Sequence, residues 1–453
     1  MTTNNGLRPA GCDIPYRLTA IGAVLGGSGA ERQAAGGQFL LLWGRNSRKY
    51  IQDMSLKVRQ DLMITATRHN PAADCIAMVI VTLMAVGTVF VFSASANIGY
   101  ELDLRRFYDY PGLRQILFFP LACGIMYFFS CVNYRKLGLD GGWSRSPIVY
   151  VLLLSILLLA IVLSQKFFPL LPRLIEPKHE RYRWLQIPLG PIEVSFQPSE
   201  LAKWAVIFFL AAACAKFGDQ IRRFFTRFAP LCLVVGLVAG LIIIEDFGTA
   251  ALITVLAFLM LIIAGARLWH ILPPLPFAAI AFYAAIASSP MRKKRLLAFL
   301  HPDKWPDINY QPNQSLIALG SGGLRGKGLG RGICKYGHLP EDTTDFIFAI
   351  IGEELGFVGN AAVILLFILF VWLGILVVMR CRDRFGQLLA GGIVLTIAIQ
   401  AALNIAVVTV VVPTKGIALP FVSAGGTSML LSAAAVGVLI NIAKQNQKPI
   451  VEL

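Results

Sequence analysis

The chain alternates long apolar runs with short polar ones. Apolar stretches of about 20 residues recur, each long enough to cross a hydrocarbon core of about 30 Å as a helix. Ten spans are predicted, near 74–96, 113–132, 147–165, 199–216, 229–244, 248–265, 269–290, 346–379, 387–412 and 423–443. The eighth is longer than one crossing needs, so its first part, through Gly359, is expected to dip into the membrane or lie at its surface. The boundary at Glu245-Asp246 between the fifth span and the sixth is short enough to predict a tight hairpin. One long polar segment, 291–345, separates the seventh from the eighth. A transmembrane β-barrel would show short alternating segments instead. The pattern therefore predicts an all-α polytopic membrane protein of about ten transmembrane helices: a tail at 1–70, a membrane domain at 71–445 and a short tail at 446–453.

Composition agrees: 56% of the residues are hydrophobic, 15% are charged and the mean hydropathy is +0.67. The net charge of +16 is spread over many loops, with no aromatic-basic module. It fits lysines and arginines gathered on the cytoplasmic side and attracted to anionic membrane lipids, and no nucleic-acid partner is expected. An even number of spans places both termini on one side. With both termini cytoplasmic, the tails and inner loops hold 22 Lys and Arg, and the outer loops without 291–345 hold 8. The segment 291–345 is then extracytoplasmic, and its nine Lys and Arg run against the rule, as an anionic substrate would require. The N-terminal tail, with nine Lys and Arg against four Asp and Glu, reads as cytoplasmic and disordered. Eight cysteines form no CxxC or Cys/His cluster, so neither a disulfide framework nor a zinc site is expected.

Candidate chemistry lies at the edges of the spans. In Phe196-Gln197-Pro198-Ser199-Glu200-Leu201-Ala202-Lys203, Ser199 can cap the fourth helix. Glu200 and Lys203, three apart, share a face and can pair. Upstream, Arg183-Trp184 ends a basic, aromatic stretch suited to pyrophosphate or head-group contact. Glu245 and Asp246 suggest a polar pocket or cation site, with a helix cap as the plainer reading. The Gly-rich run 320–330, with Arg325 and Lys327, resembles a phosphate cradle but lacks the features of a P-loop. Downstream come Glu341 and Asp345, with Asp345 or Thr344 as a helix cap. Glu353-Glu354 then lie about two turns into an apolar run, where they require Lys or Arg partners or a metal. Two prolines and several glycines in 412–428 predict non-helical backbone at the membrane edge, tolerated only against protein or water.

Taken together, FSAS (92–95), RW (183–184), FQPSELAK, EDFGTA, IALGSGGLRGKGLG, LPEDTTDFIFAIIGEELGFVG, NIAVVTVVVPTKG and LPFVSAGGTS resemble one family across 92–428. It is the SEDS (shape, elongation, division and sporulation) membrane glycosyltransferases. Lys415 and the TDFIFAIIGEELG wording look most like the division-type branch. The resemblance implies a ten-span enzyme that polymerises lipid II, the undecaprenyl-pyrophosphate-linked cell-wall precursor, outside the bacterial cytoplasmic membrane at the septum. It also implies a class B penicillin-binding protein transpeptidase and other divisome proteins as partners. No cofactor is required outright, and a divalent cation, magnesium or manganese, is the candidate helper for the leaving group. The implied substrate-binding residues are Arg183, Trp184, Gln197, Ser199, Glu200, Lys203, Asp246, Gln314, Ser315, Arg325, Lys327, Glu341, Asp345, Glu353, Glu354, Lys415, Ser423, Gly425 and Gly426.

The catalytic position departs from the family pattern. Phe-Leu-x-Pro-x-x-Asp-Pro is usual, but here Trp305 or Lys304 falls at the Asp position, depending on which end is counted from. Asp303 and Asp307 flank the place and are the catalytic candidates. Ala424 also stands where the family usually has Tyr, and Asn133 where Asp is common. Two alternatives share the pattern. A lipid II flippase needs polar groups in both halves of the membrane, and a non-catalytic division scaffold tolerates loss of both aspartates.

Overall fold

The structure, a computed structural model, describes residues 70–95, 110–139, 141–165, 175, 182–189, 192–337 and 339–445, with the side chains of 187–189 and 192–194 aside. The tails 1–69 and 446–453, and Lys178 to Arg181, lie outside the described residues. Twelve α-helices are described: α1 (Pro71–Ser95), α2 (Pro111–Cys131), α3 (Pro147–Ser164), α4 (Pro198–Phe217), α5 (Ala229–Ile243), α6 (Phe247–Ile263), α7 (Pro274–Ala287), α8 (Pro290–Leu300), α9 (Tyr310–Gly322), α10 (Ile347–Arg380), α11 (Arg384–Val408) and α12 (Gly426–Gln445). Proline begins several of them, where its missing N–H costs nothing. In lipid a helix satisfies its own backbone, which is why apolar runs of this length become helices.

Among the described residues, eight helices are long and apolar enough to cross a membrane. α6 has 17 residues, and α7 bends by 97° into α8, so these two helices do not form one straight span. At 14 residues α7 is about 21 Å long, short of a full crossing. The predicted spans fall on these helices. α4 and α12 are central, with 67% of their apolar windows buried against 28% for α2, α3 and α10. Much of the remaining apolar surface, such as Leu365, Ile368 and Trp372 of α10, is exposed to where lipid would lie.

Two features depart from the sequence pattern, and a third divides the eighth span. Leu185–Leu189 and Ile192–Phe196 form an antiparallel hairpin, β1 and β2, that delivers the chain to Pro198. The segment 291–345, expected as loop, holds α8 and α9; their charged and amide side chains hid the helical period. The first part of α10, Ile347 to Glu354, is buried against other helices of the protein. It ends at Gly356, whose φ of 69° breaks the helix. α9 packs on this part so closely that a Cβ on Gly322 would sit 1.9 Å from the Gly352 carbonyl oxygen.

The two ends of the bundle differ. At one end Asp383 caps α11 by accepting from the Gly386 N–H at 2.8 Å and also accepts the Tyr134 hydroxyl. The Tyr134 N–H donates to Asn441 of α12 at 3.1 Å, so α2, α11 and α12 are tied together there. The other end gathers the hairpin, the α5–α6 turn, α8, the start of α10 and the non-helical strap 409–425 between α11 and α12.

Candidate active site

At that second end, charged side chains from five elements meet around Asp246. This residue caps α6, accepting from the Thr249 N–H at 3.3 Å and hydroxyl at 2.8 Å. It also pairs with Lys415 of the strap at 3.1 Å. Burial works against its ionisation, but Lys415 and then Arg183 outweigh it and hold the carboxyl down at about 2. Burial pulls Lys415 down to about 8, with Asp246 resisting and Arg183 and Arg292 adding to the fall. The pair is thus doubly charged at neutral pH. Arg183 spends Nε and Nη2 on the Glu245 carbonyl, at 2.9 and 2.6 Å, clamping the hairpin to the α5–α6 turn. Glu245 accepts in addition from the Tyr182 N–H at 3.2 Å.

Arg292, in the first turn of α8, donates to the carbonyls of Ile243 and Ile244 at 3.0 and 2.8 Å and of Ala285 at 2.9 Å. Its charge therefore closes the open C-terminal ends of α5 and α7 and fixes α8 at its sharp angle. Asp345 lies in the same mouth, with Arg183, Lys415 and Asp246 close enough to act on its charge. Its carboxylate makes no hydrogen bond or ion pair among the described residues. Burial above all, then Glu341 and Asp246, push it up to about 7 against Arg183 and Lys415. A half-buried carboxyl that titrates near neutrality suits proton transfer. Asn404 of α11 holds the strap beneath it, donating to the carbonyls of Asp345 at 2.8 Å and Ile417 at 2.7 Å.

The Gly-rich segment has a different occupant from the one its sequence suggests. The Ile333 and Cys334 N–H groups donate to Glu353, and the Gly330 N–H to Glu354. Lys327 pairs with Glu353 at 2.7 Å, and Lys335 with Glu354 at 2.9 Å. The Lys327 and Gly328 N–H groups take the carbonyls of Glu353 and Glu354, at 3.0 and 2.9 Å. Ser93 of α1 adds a hydroxyl to Glu354 at 2.8 Å. The run 320–335 is therefore a cradle for two buried carboxylates, and the N–H groups and lysines that hold them are already used. Glycine N–H groups bind carboxylate as readily as phosphate, which is why sequence alone reads either way. The cations required by Glu353 and Glu354 are Lys327 and Lys335.

Glu200 and Lys203 pair at 2.9 Å, as their spacing predicts. Lys203 is fully buried and also donates to Gln400 of α11 at 2.8 Å, while the Ser428 hydroxyl of α12 donates to Glu200 at 2.7 Å. This group locks α4, α11 and α12 together and leaves Lys203 no room for a pyrophosphate. Ser199 does not cap α4: Gln197 occupies the cap position and donates its amide to Ser199 at 3.0 Å. Neither Asp345 nor Thr344 caps α10; Phe346 holds that position without a side-chain bond.

The other predicted residues divide. Ser423 takes the Leu419 N–H and donates to the Thr344 carbonyl, binding the strap to the segment before α10. Ser315 donates to the Val408 carbonyl at 2.8 Å, and Gln314 beside it is half-buried. Gly425 and Gly426 open α12. Trp184 is half-buried beside Arg183, Glu341 is exposed and accepts from the Thr344 hydroxyl, and Arg325 is exposed. Asp303 and Asp307 sit exposed on the turn between α8 and α9 and make no ion pair among the described residues. Sequence reasoning missed Arg292, Arg295, Lys335, Gln400 and Asn404. The two amides carried a signal, since polar side chains inside an apolar run need partners. Among the described residues no group of three or more His, Cys, Asp or Glu side chains is placed to hold a metal, so the structure offers no ready ligand set for the divalent cation expected from the sequence.

Beside the mouth, α5, α6 and α7 enclose an apolar groove of about 230 Å³, lined by residues such as Val235, Ile243, Phe258, Phe277 and Phe282. The molecule is a polytopic helical membrane protein whose buried charges gather at one end of the bundle. A family model described as "Cell cycle protein", covering FtsW, RodA and SpoVE, matches residues 73–448, and the chain belongs to that family. It is 37% identical over 369 residues to a probable peptidoglycan glycosyltransferase FtsW of Trichlorobacter lovleyi, covering 81% of this chain and 91% of the relative. It is 36% identical over 388 residues to stage V sporulation protein E of Bacillus subtilis, covering 84% of this chain and all of that one. The fold is also that of the rod shape determining protein RodA of Thermus thermophilus, with a TM-score of 0.54 at 20% identity, over 83% of this chain and 97% of the other. A chain from a study of a peptidoglycan synthase complex matches with a TM-score of 0.63 at 22% identity, over 83% and 98%.

Proposed function

We propose that the protein is a peptidoglycan glycosyltransferase that polymerises lipid II into glycan strands at the outer face of the cytoplasmic membrane during division. Both termini would be cytoplasmic, the site septal, and a class B penicillin-binding protein transpeptidase and other divisome proteins its partners. The observation that carries this reading is the juxtaposition of a charged mouth and an apolar groove, which suits a polar head group on a long hydrocarbon chain. The names of the FtsW relatives support it. Every buried charged side chain among the described residues belongs to the same end of the bundle, which favours an enzyme over a flippase.

In the reaction a sugar 4-hydroxyl forms a bond to the anomeric carbon of the growing chain. The bond from that carbon to the diphosphate oxygen breaks with its electron pair, and a carboxylate takes the hydroxyl proton. The family resemblance points to Asp303 or Asp307 as that base. A second reading favours Asp345, because its unpartnered carboxyl shares the mouth with Arg183 and Lys415. Glycan synthesis from labelled lipid II by the full chain with its transpeptidase tests the proposal, comparing the parent with D303A, D307A and D345N. Absence of polymer from the parent complex sinks the polymerase reading. Loss confined to one variant identifies the base.

A further inference from the structure

The cations of the mouth are nearly all committed. Lys415 belongs to Asp246, Arg292 to three carbonyls, and Lys327 and Lys335 to the buried glutamates. Arg183 retains only Nη1, since its other two nitrogens hold the Glu245 carbonyl. Arg295 is the exception. It stands three residues after Arg292, on the same face of α8, and is half-buried. It makes no hydrogen bond or ion pair among the described residues, although Asp345 and Arg183 are close enough to act on its charge. A half-buried guanidinium without a partner, with a second guanidinium nearby, is a costly arrangement that an anion relieves. Arg292 removes the alternative that α8 simply turns Arg295 out to solvent, because its three backbone bonds fix the helix rotation.

We propose that Arg295, aided by Nη1 of Arg183, binds the diphosphate of the lipid-linked substrate. This rests on the glycosyltransferase reading for the substrate class and moves the diphosphate site away from the Gly-rich run. A planar guanidinium meets two phosphate oxygens at once, which a lysine does not. As the anomeric carbon–oxygen bond breaks, the electron pair remains on the diphosphate, and the fork is in place for the added charge.

The test measures binding without turnover. The full chain in nanodiscs is titrated with undecaprenyl diphosphate and with undecaprenyl monophosphate, using the parent, R295Q, R295K and K136Q, a control at an exposed lysine at the other end of the bundle. The expected result is a parent preference for the diphosphate of about tenfold or more, from the added charge-assisted hydrogen bonds. R295Q should abolish that preference, R295K should retain part of it and K136Q all of it. An unchanged preference in R295Q overturns the proposal, as does a parent with no preference. If R295Q fails to fold, R295K decides, and an unchanged preference there is equally fatal. A parent that binds the diphosphate through Arg295 yet makes no glycan sinks the polymerase reading alone. One that polymerises with R295Q unaffected sinks the clamp alone.

Discussion

Removal of the Lys335 charge gives the sharpest test of how the site is built. Lys335 is 3% exposed and Glu354 is fully buried, and they meet at 2.9 Å. The same ammonium donates to the Gly330 carbonyl at 2.9 Å and to the Ser93 hydroxyl at 3.0 Å. Lys335→Met keeps the stem and deletes the charge, leaving Glu354 with only Ser93 and the Gly330 N–H as donors. Breaking a buried ion pair from one side costs about 3–5 kcal/mol. For a chain of this size that corresponds to a fall in Tm of roughly 3–5 °C. Lys327→Met is the internal comparison. Its side chain is 29% exposed, so water replaces part of what is lost, and the fall should be clearly smaller. The assay is thermal unfolding of the full chain in detergent, followed by monodispersity. The double variant Lys335→Met with Glu354→Gln should recover a good part of the loss, because the orphaned charge is gone. A K335M protein melting within about 1 °C of the parent would refute the carboxylate cradle, since no buried pair of this kind is expendable on one side only.

Two further outcomes follow from the mouth and the helix lock. Asp345 stands at about 7, above its ordinary value near 4, so the folded state binds its proton more tightly and stability falls as pH rises between those values. If it is the base, polymerisation should drop about tenfold per unit below pH 7, and K415M, by removing a cation that lowers Asp345, should move that limb to higher pH. D345N should then abolish polymer yet melt higher than the parent at pH 8; a pH profile identical in K415M argues against it. Lys203→Met leaves Glu200 buried with Ser428 as its donor and should lower stability by about 3–5 kcal/mol, partly restored by adding Glu200→Gln, as read by the same melting assay.

The span pattern was legible because hydropathy and length are local properties, and the α5–α6 hairpin because two acids between apolar runs leave little room for anything else. The strap 409–425 was legible from its prolines and glycines. The pairing of Glu200 with Lys203 followed from helical spacing, while their shared ties to Gln400 and Ser428 did not, since those partners are 197 and 228 residues away. α8 escaped notice because four consecutive basic residues mask an 11-residue helix whose orientation is set by carbonyls of α5 and α7. The Gly-rich run was recognised as an anion cradle, but the identity of its anion was a matter of tertiary structure. Asp303 and Asp307 were chosen by register, and Asp345 gains its standing from burial, which no local pattern reports.

The carboxylate cradle also bears on how the chain is assembled. Ile347 to Glu354 carries two acids that an apolar environment would reject, and their counter-charges arrive on a segment that ends only a dozen residues earlier. Because Lys327 and Lys335 precede Glu353 and Glu354 in the chain, synthesis delivers the basic half first and the acidic half second, 26 and 19 residues later. Neither half is content alone, since an apolar environment penalises the cations and the acids alike when they are apart. Joined, they form a neutral, backbone-sealed plug at the Gly356 break. Substitutions that part the two halves should therefore show as poor membrane insertion of the full chain before they show as lost chemistry.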